Sequence, residues 1–261
     1  MDESRRTFLK KAGYTGVGLG CGFPLLGTAC SASKQGVAHA EPSSSQLAMV
    51  IDIKKCLREE VRRACAEACT REHNLPESSD PERKIEWIWT DTYEHVFPDQ
   101  SHSHFSEKLK GQPVLVLCNH CTTPACVKVC PTGATWKRKS DGIVMMDMHR
   151  CIGCRYCVVA CPYRTRRFNW RDARPDIKRE TRPEYPTREW GVVEKCTFCA
   201  ERIRVGREPA CVEAANKVQE GALTFGDLND PESKVSQILH EKHTISRQLA
   251  LGTGPNVYYI V

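Results

Sequence analysis

Two runs of cysteine constrain this chain more than anything else in it: Cys118, Cys121, Cys126 and Cys130-Pro131, then Cys151, Cys154, Cys157 and Cys161-Pro162. Each run crowds three thiols into one short loop and sets a fourth directly before a proline. The 261 residues carry sixteen cysteines, most of them gathered in tight groups. Such grouping is metal-ligand spacing, whereas a disulfide scaffold scatters its cysteines more widely. Zinc ribbons pair two C-x2-C knuckles across a dozen or more residues, without a third thiol in the loop or a following Cys-Pro. Covalent haem is excluded at these sites, because no C-x-x-C here ends on histidine at Cys121, Cys154, Cys157 or Cys199.

The second run has the C-x2-C-x2-C-x3-C-P spacing of four-iron cubane ligands, and the first departs from it only by two extra residues in its middle gap. Three thiolates on one loop can hold three irons of a cubane. The fourth cysteine, expected at the start of the following helix, ligates the cluster of the partner loop in two-cluster proteins. The expected sets are therefore Cys118, Cys121, Cys126 with Cys161, and Cys151, Cys154, Cys157 with Cys130.

Two further groups are each one thiol short. Cys56, Cys65 and Cys69 lack a partner at Glu59 or Arg62, and Cys196, Cys199 and Cys211 meet Ala215 where a fourth cysteine would stand. Crossed pairing completes one set, Cys196, Cys199, Cys211 with Cys69, and leaves Cys56 and Cys65 as non-ligands. Three [4Fe-4S] clusters follow. A competing count closes the two short groups separately as three-iron clusters, at the cost of an unusually wide loop between Cys56 and Cys65. His120 is expected beside a cluster or at the surface, and His102 and His104 in solvent. Arg155 and Arg164 are expected to tune cluster potentials by their charge.

The N-terminus speaks to compartment. Ser4-Arg5-Arg6-Thr7-Phe8-Leu9-Lys10 is a twin-arginine pattern, Ala12 to Ala29 is a weakly apolar run with six glycines, and Ala38-His39-Ala40 supplies a cleavage site. Residues 1–40 are thus expected to be a signal peptide and the protein extracytoplasmic, exported folded on the periplasmic side. Retention of residues 1–40 as an anchor, or lipidation through Cys30, are the rival fates. Without the leader, 33 Lys/Arg face 30 Asp/Glu, since five of 38 and two of 32 lie in it. A charge near +3 argues against nucleic acid as a partner. The basic run RTRRFNWRDAR, 164–174, is either a solvated loop or a positive collar near a cluster or docking partner.

Along the rest of the chain, short apolar runs precede the cysteine groups: Met49 to Ile53, Pro113 to Leu117, Gly142 to Met146 and Trp190 to Val193, with Leu223 to Phe225 after the last group. Residues 57–68 look helical, and 74–112 lack a sustained period and are expected to be an insertion or long loop. Asp230 and Pro231 are expected to open a C-terminal helix with Val235, Ile238 and Leu239 on its inner face, before a closing strand in GTGPNVYYIV. The fold class expected is α+β: tandem bacterial-ferredoxin-like cluster units with short strands, short helices and long loops. One unit would combine 47–73 with 190–228, the other span 113–175, and 229–261 form a C-terminal helix and tail.

Four cysteine groups in this order, with VVEKCTFCAERI and GALTFGDLNDP, resemble the iron–sulfur subunits of polysulfide, dimethyl sulfoxide and tetrathionate reductases. The leader and the stretch from LCNHC to YRTRRFN are most similar to the DsrO family, the extracytoplasmic iron–sulfur subunits of DsrMKJOP or Hdr-like menaquinol oxidoreductase complexes of sulfate reduction. The resemblance implies a non-catalytic electron-transfer subunit. Its implied partners are an integral membrane quinone-interacting subunit of the NrfD/DsrP type, a multihaem cytochrome c of the DsrJ type, and further DsrM- and DsrK-like subunits. Two other readings stand beside it: the electron-transfer subunit of a molybdopterin-dependent reductase, and a redox-inert metal-binding scaffold.

Overall fold

The computed structural model describes residues 45–78, 80, 83–100, 108–183, 185 and 190–261. The twin-arginine leader and its cleavage site, Cys30, His102 and His104 lie outside the described residues. Those described belong to one unit, Glu41–Val261.

Strand β1 (Leu47–Asp52) shows why a sheet forms here. Its side chains alternate between two apolar environments: Met49 and Ile51 enter the main core, while Ala48 and Val50 enter a smaller one on the opposite face. Asp52 then caps α1 (Ile53–Cys56) by accepting from Lys55 N at 3.1 Å. Helix α2 (Glu59–Glu72) follows, with Glu59 and Glu60 in its first turn, where the helix dipole favours carboxylates.

Residues 74–112 are not a free insertion. They contain β2 (Ile88–Thr92) and α3 (Tyr93–Val96), and bury Leu75, Ile85, Trp87, Tyr93, Val96 and Phe97 in the main core. β2 pairs antiparallel with β3 (Pro113–Leu117) from Ile88–Leu117 to Thr92–Pro113. A strand written IWTDT next to a single helical turn is too short to display a period, so the stretch looked irregular.

Helix α4 (Ala125–Lys128) leads to the β4 (Thr135–Lys137) and β5 (Val144–Met146) hairpin. Helix α5 (Tyr156–Ala160) packs on α4. Strand β6 (Arg167–Phe168) pairs with β7 (Val193–Glu194). β7 is shorter than expected, because Gly191 takes φ +81° in a turn and Trp190 projects into solvent. Helix α6 (Ala200–Ile203) and α7 (Ala210–Val218) follow, with α7 packed along α2. β8 (Leu223–Asp227) returns to pair with β1.

The C-terminal helix α8 (Lys234–Glu241) begins after Ser233, not at Pro231. Asp230 spends its carboxylate on Glu232 N at 2.9 Å in a turn, which delays the helix. Val235, Ile238 and Leu239 cover Ala48 and Val50, as their spacing predicts. The final strands, β9 (Thr244–Ile245) and β10 (Val257–Ile260), complete a four-stranded sheet ordered β8-β1-β10-β9, with β1 and β10 parallel. The C-terminus thus occupies the inside of the sheet, where Tyr259 is fully buried and donates to Leu115 O at 3.2 Å. Among the described residues no helix is long and apolar enough to cross a membrane.

Candidate iron–sulfur centres

Fourteen cysteines lie among the described residues, none in a disulfide. The first set gathers at the end of β3. Around the Cys121 thiol stand Cys118, Cys126 and Cys161. Burial, then Cys118, push that thiol up to about 12 against a hydrogen bond from Thr253, with Cys126 and Cys161 adding to the rise. The loop is braced from the far end of the sequence: Thr122 N donates to Gly254 O at 2.7 Å, Thr123 N to Thr253 O at 2.9 Å, and Asn256 N to Asn119 O at 2.9 Å.

In the second set Cys157, on α5, faces Cys151 and also Cys126 of the first set. Cys154 is exposed between Gly153 and Arg155. Gly153 holds φ +69°, and a Cβ there would run into the Gly191 carbonyl, so only glycine fits this loop against its neighbour. Cys130 is held by its own turn. Burial opposes its ionisation, but backbone N–H groups of Thr135, Thr132 and Ala134 and the Thr132 hydroxyl outweigh it and lower the thiol below its usual value. That turn is tied to the segment before Cys151, through Asp147 N to Ala134 O at 2.7 Å and Arg150 Nη2 to Thr132 O at 3.2 Å.

The fourth cysteines do not begin helices as expected. The third cysteine of each run, Cys126 or Cys157, lies within the short helix, and Cys130 and Cys161 follow it. Proline forces the residue before it out of helical conformation, and Cys161 before Pro162 is accordingly extended at φ −83°, ψ 108°.

The third set forms where α2 meets α7. The buried Cys69 thiol is surrounded by Cys196, Cys199, Cys211 and Cys65, and burial followed by those neighbours in that order raises it well above its usual value. Cys56 and Cys65 stand next to each other behind this set. Cys56 Sγ lies 3.7 Å from Ala222 O and Cys65 Sγ 3.6 Å from Cys211 O. Ala215, fully buried, packs in the same core with Val61, Val212 and Ala222.

The sets are linked. Cys157 faces Cys126, and Cys196 faces Cys118, so the first set has a neighbour on each side.

Several residues here escaped the sequence. Arg155 and Arg164, expected to tune the clusters, are exposed; Arg155 lies over the Trp170 ring at 4.7 Å from its centroid. Among the described residues the buried cations beside the thiols are Arg166 and Lys195, 3% and 0% exposed, and Arg202, which is paired with Glu72 and Glu213. Arg166 belongs to the basic run read as loop or collar, and Lys195 directly precedes Cys196. His120 is not at the surface: it is fully buried, accepts from Val144 N at 3.1 Å and stacks on Phe198 at 3.7 Å. Burial, then the charges of Lys195 and Arg166, push it well below the usual histidine value. His73, which no motif marked, places Nε2 3.2 Å from Cys199 Sγ.

Sets of soft thiolates suit iron–sulfur clusters, zinc or copper(I). Among the described residues no three His, Cys, Asp or Glu side chains converge on one metal ion. Four thiols drawn from two loops, with a buried guanidinium and ammonium beside them, fit an anionic cubane.

Comparison with known proteins agrees. Residues 113–176 match the family of 4Fe-4S dicluster domains. The chain is 38% identical to the Hdr-like menaquinol oxidoreductase iron-sulfur subunit 1 of Archaeoglobus fulgidus, over 98% of this chain and 97% of that protein. It is 36% identical to the menaquinone reductase iron-sulfur cluster-binding subunit of Nitratidesulfovibrio vulgaris, over 81% and 87% respectively. It is 34% identical to a tetrathionate reductase subunit of Salmonella typhimurium, over 100% and 89%.

Proposed function

Since this chain belongs to the family of iron–sulfur electron-transfer subunits found in menaquinol oxidoreductase and related reductase complexes, we propose that it carries three [4Fe-4S] clusters in line. Cys118, Cys121, Cys126 and Cys161 hold the middle one. Cys151, Cys154, Cys157 and Cys130 hold one outer cluster, and Cys196, Cys199, Cys211 and Cys69 the other. The observation that supports this count is the surroundings of Cys69: its sulfur lies among the three thiols of the 196–211 group, with Cys65 the weakest of its thiol neighbours, while Cys56 and Cys65 donate to the backbone carbonyls of Ala222 and Cys211. The clusters supply reversible one-electron storage; the chain spaces them, excludes water and sets their potentials.

On this reading the protein relays electrons between an integral membrane quinone-interacting subunit and a multihaem cytochrome c, alongside further subunits of a DsrMKJOP-like complex. The near-full-length similarity to the menaquinol oxidoreductase subunit supports that assignment. The twin-arginine pattern supports placement on the extracytoplasmic side, with clusters inserted before export. A second reading, the electron-transfer subunit of a molybdopterin-dependent reductase, is favoured by the 34% identity to the tetrathionate reductase subunit across the whole chain.

Purification of the native complex separates the two. Co-isolation with haem and quinone-interacting subunits supports the first, and co-isolation with a molybdopterin chain replaces it by the second. A visible absorption that dithionite does not bleach would discard both in favour of a redox-inert scaffold.

A further inference from the structure

Burying a charge costs several kcal/mol unless it is matched by an opposite one; Arg202, buried beside Cys199, has Glu72 and Glu213 for that, whereas Arg166 and Lys195 lie buried among thiols. Arg166 Nη2 donates to Cys126 Sγ at 3.0 Å and to Thr135 Oγ1 at 2.8 Å. Cys157, of the second set, lies near enough to the same guanidinium for its charge to favour the thiolate, so Arg166 stands between a thiol of the first set and one of the second. Lys195 Nζ is fixed by the carbonyls of Val144 and Cys196. Burial and the neighbouring Arg166 work against its charge, and Cys118 and Cys126 of the first set and Cys196 of the third favour it. The anionic neighbours that favour the charged form of Arg166 are Cys126, Cys157 and Cys118. One cation therefore stands at each junction of the row.

We infer that Arg166 and Lys195 are positioning charges shared between neighbouring clusters, each raising the midpoint potential of the two clusters it separates, so that the middle cluster is raised by both. The physical reason is that reduction adds an electron to an already anionic thiolate cluster. A nearby buried cation stabilises the reduced state more than the oxidised one. Arg155 and Arg164, exposed to solvent, are screened from that role.

This inference rests on the three-cluster assignment, and the experiment keeps the two apart. Iron content of the full-length loaded protein tests the assignment: about twelve irons per chain are expected from three cubanes, and a lower count strikes at the cluster sets themselves. The inference is tested by redox titration followed by EPR, with each signal assigned through the cysteine variant that removes it. Arg166→Gln should lower the midpoints of the first and second sets and leave the third unchanged. Lys195→Gln should lower those of the first and third and leave the second. The charge-preserving Arg166→Lys and Lys195→Arg should keep all three close to native.

Unchanged midpoints in loaded neutral variants, or an equal fall of all three, would overturn the inference. If the neutral variants lose iron while the charge-preserving ones keep it, the requirement for charge is upheld; loss of iron from all four would show that shape, not charge, is needed.

Discussion

His73 Nε2 lies 3.2 Å from the sulfur of Cys199, and the opposite ring nitrogen, Nδ1, lies 3.0 Å from Glu201 Oε1. A residue from the C-terminal end of α2 thus holds a thiol of the 196–211 loop and the first turn of α6 together. The ring is fully buried and packs at 4.4 Å from Trp87 and 4.8 Å from Tyr185. His73→Ala removes both polar contacts and leaves a void between aromatic rings. A loss on the order of 2–3 kcal/mol is expected. It should appear as a lower urea concentration for bleaching of the cluster absorbance, and a midpoint equal to the native one would refute it.

Cysteines of one sequence group should behave differently. Cys69→Ser is expected to remove about four irons, the content of one cubane, whereas Cys56→Ser and Cys65→Ser should leave the iron content intact. Iron analysis decides this, and equal losses from Cys56→Ser and Cys69→Ser would mean that the ground beside Ala215 holds a cluster after all.

Crossed ligation makes a second distinction. Cys130→Ala should alter the EPR signal of the cluster on the 151–157 loop, and Cys161→Ala that of the cluster on the 118–126 loop. Perturbation of the signal of each cysteine's own loop would reverse the assignment.

Gly153 and Gly206 offer a paired test of close approach against backbone strain. Both have positive φ, +69° and +75°, but a Cβ at 153 meets the Gly191 carbonyl and one at 206 meets nothing within 4 Å. Gly206→Ala should cost about 1 kcal/mol from strain alone. Gly153→Ala should cost more, about 2–3 kcal/mol, since either the 151–157 loop or the Gly191 turn must move. Thermal bleaching followed optically would rank them, and equal effects would remove the contact as the cause.

Export supplies the last prediction. Replacing Arg5 and Arg6 by Lys should strand cluster-loaded precursor in the cytoplasm, as cell fractionation would show. Normal export of that variant would withdraw the twin-arginine assignment.

The sequence disclosed the strands at 47–52, 113–117, 144–146 and 223–227, because each is an apolar run longer or denser than its surroundings. It disclosed α2 through its length. It could not disclose that Trp87 and Phe97 belong to the core, since their partners, Glu194 for the indole at 2.9 Å and Tyr259 for the phenyl ring at 5.0 Å, are remote in the chain. Arg166 and Lys195 stayed hidden for the same reason. A cation next to other charged residues resembles a solvated surface, and only the folded proximity of Cys126, Cys157 and Cys118 gives it a reason to be inside. The thiol spacing was local and therefore visible; the charges that balance it were not.

The bracing of the 118–126 loop by Thr253, Gly254 and Asn256 carries a consequence for biogenesis. Those three residues are made long after the loop they brace, and β10, which follows them, is an interior strand of the sheet. The amides of Thr122 and Thr123 have their acceptors, Gly254 O and Thr253 O, only once the chain has been made that far. The middle site is thereby tied to a segment remote in sequence: a chain cut short after Gly252 would keep every proposed ligand and still lack the frame around its central loop. The segment 253–256 therefore works as a late brace, closing on the central loop only after all of that loop's thiols have been made.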